Sequence, residues 1–361
     1  MKTLLFTLEF PPFKGGIANY YGNLTNYWPL GEELVVLNNN KGELDNYHGF
    51  LSWWRSYGEL KRKISSSKID YVIVGHILPL GTVAMLLSLF QPLKYAVFLH
   101  GLDWTSALKS WRKRILVSFI LRRSDRIICA NSYVAARVNE FYPSGEDKVA
   151  IINPGVASQA PYIDPLDLQD LQKTYNLENK ITLFSLGRLI KRKGVDQTIK
   201  ALASIPKSLL NNLVYFIAGT GSDESYLRKL VPQFLHDKII FLGEISEKEK
   251  WLWLKQADIF LMPARDIEGD YEGFGIVYLE ANLSSCPVIA GNSGGVPDAV
   301  EDNYSGLLVD PLDSNSIKEA IITLANDKEL RQKLGRQGRE RAINDFNWEK
   351  QISQLASLIT H

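Results

Sequence analysis

The chain has 361 residues, of which 45% are hydrophobic and 22% are charged, and its formal net charge is +1. This composition is that of an ordinary soluble protein, so a compact fold is expected and a disordered chain is excluded. A single core seldom grows beyond about 250 to 300 residues, which makes two α/β domains the expected organisation. The two cysteines, Cys129 and Cys286, lie far apart in apolar surroundings. They are predicted to be buried free thiols and not a disulfide or a metal site.

The start of the chain predicts a first strand and not a targeting segment. Its short apolar run ends at Glu9 and lacks the length and the cleavage site of a signal peptide. The longest apolar run, residues 78–90, is interrupted by Pro79 and Gly81 and is too short for the ~18 apolar residues of a transmembrane helix. A cytoplasmic protein is therefore expected.

Charge is distributed unequally between the two halves of the chain. Residues 1–157 contain 18 Lys/Arg and 12 Asp/Glu, a net charge of +6, and the remainder carries −5. Much of the excess lies in residues 109–126, where basic and aromatic residues lead into Ile115, Leu116, Phe119 and Ile120 at helical spacing. This pattern fits a surface helix with an ordinary core face, or a helix lying on an anionic membrane. No recognition motif accompanies the charge, so nucleic acid is not expected as a partner.

In the first half, apolar segments alternate with helical patterns, which predicts a mostly parallel sheet. The first segment is followed by Gly15 and Gly16 and then by a helix-like stretch to about Trp28. A strand, a glycine loop and a helix open many nucleotide-binding α/β units, although two glycines fit a simple turn equally well. The further apolar segments are residues 33–38, 71–75, 95–99 and 126–129.

One histidine of the first half follows a predicted strand directly. His100 comes after residues 97–99, at the carboxyl end where α/β sheets keep their sites. Asp103 follows three residues later, a spacing that lets the carboxylate orient the imidazole. His76 follows another strand without such a neighbour, and we interpret it as structural.

The second half opens with an apolar segment, residues 181–186, that leads into a basic turn. Residues 188–193 contain four basic residues among six, a pattern that a solvated turn also shows. Strands are predicted at residues 214–218, with Gly-Thr-Gly after it, and at residues 239–243. The tryptophans of the helix at residues 251–258 are expected in the core.

Two carboxylates, Glu272 and Glu280, are separated by seven residues with Gly-Phe-Gly at 273–275 between them. The change from polar to apolar residues predicts a loop up to Gly275 and a helix after it. The free amides of a helix start favour a phosphate, and carboxylates accept hydrogen bonds from hydroxyl groups. Phosphate with hydroxyls on both sides describes a nucleotide-sugar. For an isolated motif, an N-cap glutamate plus a solvated helix glutamate is the alternative.

This motif, followed by residues 281–290 and by Ser-Gly-Gly-Val-Pro at 293–297, resembles the family-4 retaining glycosyltransferases of the GT-B fold. Further matches lie at residues 186–194 and 303–311. The resemblance implies an α/β protein of two Rossmann-like domains whose parallel sheets face each other across a deep cleft. The implied domains are an acceptor-binding domain, residues 1–157, a nucleotide-sugar donor domain, residues 158–345, and a C-terminal helix, about 346–361, that packs back on the first domain.

The resemblance also implies roles for individual residues. Arg188 and Lys193 clamp the donor diphosphate, and Lys191 and Arg192 are left as solvated. Glu272 binds the donor hexose, and Glu280 binds the ribose. The remaining implied positions are Gly15 and Gly16 near the diphosphate, His100 at the donor sugar, Asp103 on the acceptor side, Ile245 at the base, and Gly273, Phe274 and Gly275 at the donor.

The implied activity is transfer of a hexose of the mannose or glucose type from a nucleotide diphosphate sugar to a glycolipid or lipid-linked glycan, with retention. Such a step belongs to synthesis of cell-envelope glycans, lipopolysaccharide among them, by a peripheral enzyme on the inner face of the membrane. Residues 265–271 are reminiscent of bacterial mannosyltransferases of the phosphatidylinositol-mannoside type, which use GDP-mannose, and a UDP-sugar remains possible.

No metal and no cofactor is expected, because the chain lacks an Asp-x-Asp metal motif; Asp266 and Asp270 are interpreted as solvated loop charges. Two alternatives stay open. A non-catalytic subunit that binds a nucleotide-sugar would keep the diphosphate clamp. A dinucleotide-dependent oxidoreductase is disfavoured, because neither glycine turn completes G-x-G-x-x-G.

Overall fold

The computed structural model describes residues 1–13, 15–42, 44 and 53–360. The chain divides into two compact units. The first unit comprises Met1–Gly155 and Trp348–His361, and the second comprises Val156–Asn347. The second unit therefore begins two residues before the predicted boundary. Each unit contains one six-stranded sheet in which all paired strands are parallel, which confirms the predicted α/β class.

The sheet of the first unit has the strand order β2-β1-β3-β4-β5-β6. The chain leaves β1 towards one edge and returns to its other side with β3, so the carboxyl ends of β1 and β3 border a switch point. The strands are β1 (Lys2–Phe6), β2 (Glu33–Leu37), β3 (Tyr71–Val74), β4 (Lys94–Leu99), β5 (Arg126–Cys129) and β6 (Val149–Ile151). The helices are α1 (Gly16–Asn26), α2 (Trp53–Ser67), α3 (Thr82–Phe90), α4 (Leu102–Ala107), α5 (Trp111–Arg123) and α6 (Ser132–Phe141).

The sheet of the second unit has the order β12-β11-β10-β7-β8-β9, so β7 and β10 are neighbours at its switch point. The strands are β7 (Ile181–Leu186), β8 (Leu213–Ala218), β9 (Ile239–Gly243), β10 (Ile259–Met262), β11 (Val288–Gly291) and β12 (Gly306–Val309). The helices are α7 (Pro165–Thr174), α8 (Val195–Ala203), α9 (Lys207–Leu210), α10 (Glu224–Leu230), α11 (Glu247–Gln256), α12 (Ile276–Leu283), α13 (Val296–Ala299), α14 (Ser314–Asn326) and α15 (Lys328–Asp345).

Helices cover both faces of the second sheet, because its strands are apolar on both sides. Phe184 and Phe260 pack in the core on one face, and the adjacent Leu183 and Leu261 pack in the core on the other. Two tryptophans of α11, Trp251 and Trp253, belong to the first of these cores, as predicted. Both cysteines of the chain are buried and free, which confirms that prediction as well.

The last helix, α16 (Trp348–Thr360), belongs to the first unit although it is distant in sequence. Its buried face carries Trp348, Ile352 and Leu355, which join the core that contains Tyr20. The rings of Trp348 and Tyr20 meet edge to face at 5.3 Å. This helix begins two residues later than the start predicted for it.

Helix α5 does not bury the face that its apolar spacing suggested. The buried side chains are Val117, Ile120 and Leu121. On the other side, Trp111, Ile115 and Phe119 are 67%, 50% and 54% exposed. These three residues are spaced four apart, so they form one apolar stripe along the outside of the helix. Throughout the described part of the chain, no helix combines the length and the apolar character needed to cross a membrane.

The turn before α8 supplies a stability prediction. Gly194 has a φ of +76°, and a β-carbon placed on it would lie 2.1 Å from the carbonyl oxygen of Pro263. Gly243 has a similar φ of +72° with no atom within 4 Å of such a carbon. Gly243→Ala should therefore cost only the left-handed conformation, about 1–2 kcal/mol. Gly194→Ala should cost a further ~1–3 kcal/mol, because the backbone must shift.

The measurement is the midpoint of thermal unfolding of the two variants beside the wild type. Equal losses in the two variants would show that the turn at Gly194 does not depend on its close approach to Pro263.

Candidate active site

The site of the second unit lies at the carboxyl ends of β7 and β10. After β7 the chain forms a short 3₁₀ turn, Lys191–Lys193, called here the basic turn. The loop after β10 approaches it, and the amide of Arg265 donates to the carbonyl of Arg192 at 2.9 Å. Because parallel strands end at the same edge, neighbouring strands deliver these two loops to one place.

Glu272 is held by two cations of the basic turn. Its Oε2 accepts a hydrogen bond from Nη1 of Arg192 and lies 2.7 Å from Nζ of Lys193. The side chain of Glu272 is only 12% exposed. Burial alone would raise the pKa of this carboxyl group, but Lys193 and Arg192 outweigh it and hold the pKa below its usual value. Glu272 is therefore ionised at neutral pH.

The interpretation of Arg192 as a solvated charge is wrong, whereas the side chain of Asp270 is 49% exposed, in keeping with a solvated loop charge. The side chain of Arg192 is 7% exposed, and its Nε lies 3.1 Å from Oδ1 of Asp270. The physical reason is the 3₁₀ geometry, with three residues per turn, which points three successive side chains in three directions. Lys191 is exposed, Arg192 points inward, and Lys193 lies between these extremes.

The two residues predicted to clamp the diphosphate occupy different surroundings. Lys193 pairs with Glu272, and its side chain is 13% exposed. Arg188 is exposed, and its guanidinium makes no ion pair or hydrogen bond with the residues that the structure describes. The structure thus brings Lys193 and Glu272 together and leaves Arg188 available at the surface.

The predicted helix start after Gly275 is confirmed. Gly275 has a φ of +82°, in the left-handed region that favours glycine, and α12 begins at the next residue. The side chain of Phe274 is buried and packs against Phe346, with the ring centres 5.7 Å apart. Phe274 can therefore serve a ligand only through its backbone.

The glycine loop at residues 293–297, to which the sequence analysis gave no role in the site, holds the backbone of Glu272. The amide of Gly295 donates to the carbonyl oxygen of Glu272 at 3.0 Å. Gly294 has a φ of +57°, and a β-carbon there would lie 2.6 Å from the same oxygen. The Ser-Gly-Gly signal was visible in the sequence, but its contact with Glu272 was not.

Glu280, on α12, also has a cationic partner that the sequence did not reveal. Its Oε1 accepts from Nζ of Lys250 on α11 at 2.7 Å. The same amine lies 2.6 Å from Oε1 of Glu247. Burial raises the pKa of Glu280, although Lys250 opposes this. Ile245, just before α11, is partly buried and packs against the core of the second unit.

In the first unit, His100 is oriented by a tyrosine. Its Nε2 lies 2.8 Å from the hydroxyl of Tyr21, which donates to the carbonyl of Gly75 at 2.9 Å. A tyrosine hydroxyl has one proton, and a carbonyl can only accept, so Nε2 of His100 carries a proton and donates to Tyr21. The imidazole also stacks on Phe98, with centres 4.5 Å apart. Its Nδ1 is left as the acceptor.

Asp103 does not orient the imidazole as predicted. Its Oδ1 accepts from the backbone amides of His100 and Gly101 at 3.0 and 2.8 Å. The reason is its place in the first turn of α4, where unpaired amides attract a carboxylate. Asp103 therefore fixes the backbone of His100, and Tyr21 fixes its ring.

The remaining predicted positions of the first unit lie at the start of α1. Gly15 and Gly16 are both exposed there. A β-carbon on Gly15 would lie 3.4 Å from Oε2 of Glu9. Oε1 of Glu9 in turn lies 3.7 Å from Nε2 of His76, the histidine interpreted as structural. Within the described ranges, no group of three or more His, Cys, Asp or Glu side chains is arranged to hold a metal ion.

Two protein-family models match the chain. The model described as Glycosyl transferases group 1 matches residues 169–341, and the model described as Glycosyltransferase Family 4 matches residues 24–159.

Curated relatives align over almost the whole chain. The GDP-mannose-dependent alpha-(1-6)-phosphatidylinositol monomannoside mannosyltransferase of Mycobacterium tuberculosis H37Rv is 28% identical, over 99% of this chain and 98% of the relative. The GDP-mannose-dependent monoacylated alpha-(1-6)-phosphatidylinositol monomannoside mannosyltransferase of Corynebacterium glutamicum is 29% identical, over 99% of this chain and 97% of the relative.

Solved structures share the fold. Anabaena Alr3699/HepE in complex with UDP superimposes with a TM-score of 0.80 at 17% identity, covering 100% of both chains. WaaG, a glycosyltransferase involved in lipopolysaccharide biosynthesis, superimposes with a TM-score of 0.69 at 19% identity, covering 99% of both chains.

The surroundings of His100 generate a prediction about its charge. Burial, assisted by the nearby His76, lowers the pKa of His100 from 6.5 to about 3. Since the pKa is lower in the folded state, the contribution of a neutral His100 to stability is complete above about pH 6.5 and declines as the pH falls towards 3. The ring should therefore stay neutral between about pH 5 and pH 8.

Long-range proton–nitrogen spectra of the histidine rings, assigned with His100→Gln, measure this directly. In urea the same signals should titrate near pH ~6.5. A midpoint near that value in the folded protein would contradict the prediction, because it would show that the imidazole gains a proton as readily as in the unfolded chain.

Proposed function

The chain belongs to the family-4 glycosyltransferases of the GT-B fold, and on that basis we propose that it transfers a hexose from a nucleotide diphosphate sugar to a glycolipid or lipid-linked glycan. GDP-mannose is the favoured donor, because the curated relatives named above are GDP-mannose-dependent and align with nearly the whole of this chain. A UDP-sugar is the second choice. The observation that carries the proposal is the amine of Lys193 placed 2.7 Å from the carboxylate of Glu272, at a glycine-rich helix start.

These groups suit the two ends of the donor. The amine of Lys193, the exposed fork of Arg188 and the amides of 273–275 would bind the diphosphate. Arg192 and Lys193 both contact Oε2 of Glu272, which leaves Oε1 to accept from hexose hydroxyls. Glu280 would bind the ribose on the other side, with Ile245 offering backbone groups to the base.

We propose a retaining, metal-independent reaction. The bond between the anomeric carbon and the phosphate oxygen breaks, and the acceptor oxygen bonds to the same face of that carbon. The departing phosphate oxygen takes the acceptor's proton. Arg188 and Lys193 would stabilise the charge that grows on the diphosphate, an effect worth about 3–4 kcal/mol for a well-placed donor.

His100 suits the sugar end of the donor. Its neutral ring would accept from a sugar hydroxyl through Nδ1, while Nε2 remains bonded to Tyr21. A neutral group there adds no positive charge that would compete with the clamp for phosphate. Gly15 and Gly16, which are both exposed at the start of α1, would let the diphosphate approach the backbone.

A membrane surface is the proposed location of the acceptor. The apolar stripe of α5, Trp111, Ile115 and Phe119, is flanked by exposed Arg and Lys side chains. Leu89 and Phe90, at the end of α3, are also exposed. Nη2 of Arg123, at the end of α5, donates to the carbonyl of Ser88 at 2.7 Å, so the two helix ends are neighbours. An apolar stripe with cationic flanks is the composition of a helix that lies on an anionic leaflet. We propose a peripheral enzyme on the cytoplasmic face.

Donor assays test the reaction. Calorimetric titration with GDP, UDP and ADP identifies the nucleotide, and the matching sugar nucleotide is then supplied with and without a lipid acceptor. Arg188→Ala should lower kcat/KM at least ~100-fold, because it removes a donor that matters most when diphosphate charge peaks. EDTA should leave the rate unchanged, and the anomeric proton of the product should show retention.

Lys191→Ala is the matched control, since it removes a neighbouring exposed cation, and it should change kcat/KM less than about twofold. Near-normal turnover by Arg188→Ala would refute the clamp, and binding of NAD(P)H with no sugar release would refute the transferase.

Vesicle sedimentation tests the membrane role. Wild-type protein should bind anionic vesicles at low salt, and less at high salt. Changing Arg112, Lys113 and Arg114 together to Glu should abolish binding, because each cation near an anionic leaflet contributes ~1 kcal/mol.

The control makes the same change of charge in the second unit, at the exposed Lys200, Lys207 and Lys229, and should keep binding. Equal binding by both triple variants would show that α5 is not the membrane-binding element.

A further inference from the structure

Arg192 is a buried cation between two carboxylates, and nothing in the family resemblance gives it a role. Its Nη1 donates to Oε2 of Glu272, and its Nε lies 3.1 Å from Oδ1 of Asp270. We propose that Arg192 is a positioning residue, which holds Glu272 in place for the donor hexose while Lys193 binds the diphosphate. The inference rests on the proposed function, because it takes Glu272 as the group that binds the hexose.

The two cations on Glu272 are not equivalent. Lys193 is the residue assigned to the diphosphate, and its amine is a compact charge on a flexible stem. A bound diphosphate therefore draws that amine away from the carboxylate, or shares it. Arg192 is deeper, with 7% of its side chain exposed, and Asp270 holds the other side of its guanidinium. The pair of Arg192 and Glu272 therefore persists when phosphate competes for Lys193.

An arginine suits this position better than a lysine. Its planar guanidinium donates a hydrogen bond to Glu272 through Nη1, and its Nε faces Oδ1 of Asp270 at 3.1 Å as an ion pair without a hydrogen bond. A lysine would offer one point charge to both carboxylates without fixing the direction of either. The orientation of Glu272 thus depends on the shape of the guanidinium and not only on its charge.

The backbone beneath Arg192 is anchored from two sides. Its carbonyl accepts from the amide of Arg265 at 2.9 Å. Nη2 of Arg265 in turn lies 2.9 and 3.0 Å from the two carboxylate oxygens of Asp196, in the first turn of α8. The basic turn is therefore fixed between the loop after β10 and the start of α8. A rigid base of this kind is what a positioning residue requires.

The charged groups facing Glu272 set the expected pH dependence. They are Lys193 and Arg192 from the basic turn, Asp270 behind Arg192, and the buried Tyr278 from α12. Burial raises the pKa of Glu272, and Lys193 and Arg192 lower it. Without Arg192 only Lys193 opposes burial, so the pKa of Glu272 rises. Glu272 must be ionised to pair with a cation through Oε2 and to accept from a hexose hydroxyl through Oε1, so the acid limb of kcat/KM moves to higher pH.

Kinetic tests compare Arg192→Ala with Arg192→Lys, Asp270→Asn and the control Lys191→Ala. Arg192→Ala should lower kcat by ~10- to 100-fold, because the hexose is misplaced. The affinity for the nucleoside diphosphate, which lacks a hexose, should change less than about twofold. Arg192→Lys should restore the acid limb but only part of kcat, and Asp270→Asn should lower kcat less than Arg192→Ala.

A second measurement does not depend on the reaction. In ligand-free protein labelled at the glutamate carboxyl carbons, the signal of Glu272, assigned with Glu272→Gln, should titrate below free glutamate in the wild type and in Lys191→Ala. It should titrate at higher pH in Arg192→Ala. If that variant does not fold, Asp270→Asn carries the comparison: a fall in kcat without loss of nucleoside diphosphate affinity supports the proposal.

The outcomes separate the two levels of inference. If the wild type transfers sugar and both Arg192 variants match Lys191→Ala in kcat and in the acid limb, the positioning role is wrong and the proposed function stands. If the wild type transfers no sugar from any nucleotide-sugar, the proposed function fails. The carboxyl titration then still decides whether Arg192 lowers the pKa of Glu272. If that titration is the same in Arg192→Ala as in the wild type, the positioning role is wrong as well.

Discussion

A buried carboxylate is the constraint around which the second unit is arranged. An ionised glutamate removed from water costs several kcal/mol unless cations meet it, so Glu272 can occupy its loop only where Lys193 and Arg192 arrive. The loops that carry these residues follow β10 and β7, which are neighbours because the strand order reverses between them. The strand order of the sheet is therefore what brings the cations to the buried carboxylate.

Local patterns in the sequence were sufficient for much of the fold and for part of the site. Buried apolar runs alternating with helical periods predicted parallel sheets, and the change from glycine to apolar residues located the start of α12 at Gly275. Local patterns could not predict which residue of the basic turn points inward, since Lys191 and Arg192 are both long basic side chains. Which of them is buried depends on the phase of a 3₁₀ turn and on the loop of Asp270, almost eighty residues later.

The predictions for the partner of His100 and for the buried face of α5 failed, because they relied on residues close in sequence and not on contacts with distant parts of the chain. Asp103 is close to His100 in sequence, but its carboxylate accepts from the backbone amides of His100 and Gly101, just before α4, and not from the imidazole. The partner of the ring, Tyr21, is 79 residues earlier. In α5, apolar residues occur nearly all round the helix, so periodicity alone did not decide which face is buried. Packing buried Val117, Ile120 and Leu121 and left the stripe of Trp111, Ile115 and Phe119 outside.

The two units treat charge in opposite ways. In the second unit, the buried Glu272 keeps its charge because Lys193 and Arg192 hold its pKa below the usual value. In the first unit, burial keeps His100 neutral, and its contacts are a hydroxyl and an aromatic ring. A nucleotide diphosphate sugar has the same asymmetry, with charge at the phosphates and neutral hydroxyls on the hexose. In the proposed function, fixed cations would bind the phosphates, whose charge grows during the reaction, and a neutral acceptor would bind a hexose hydroxyl.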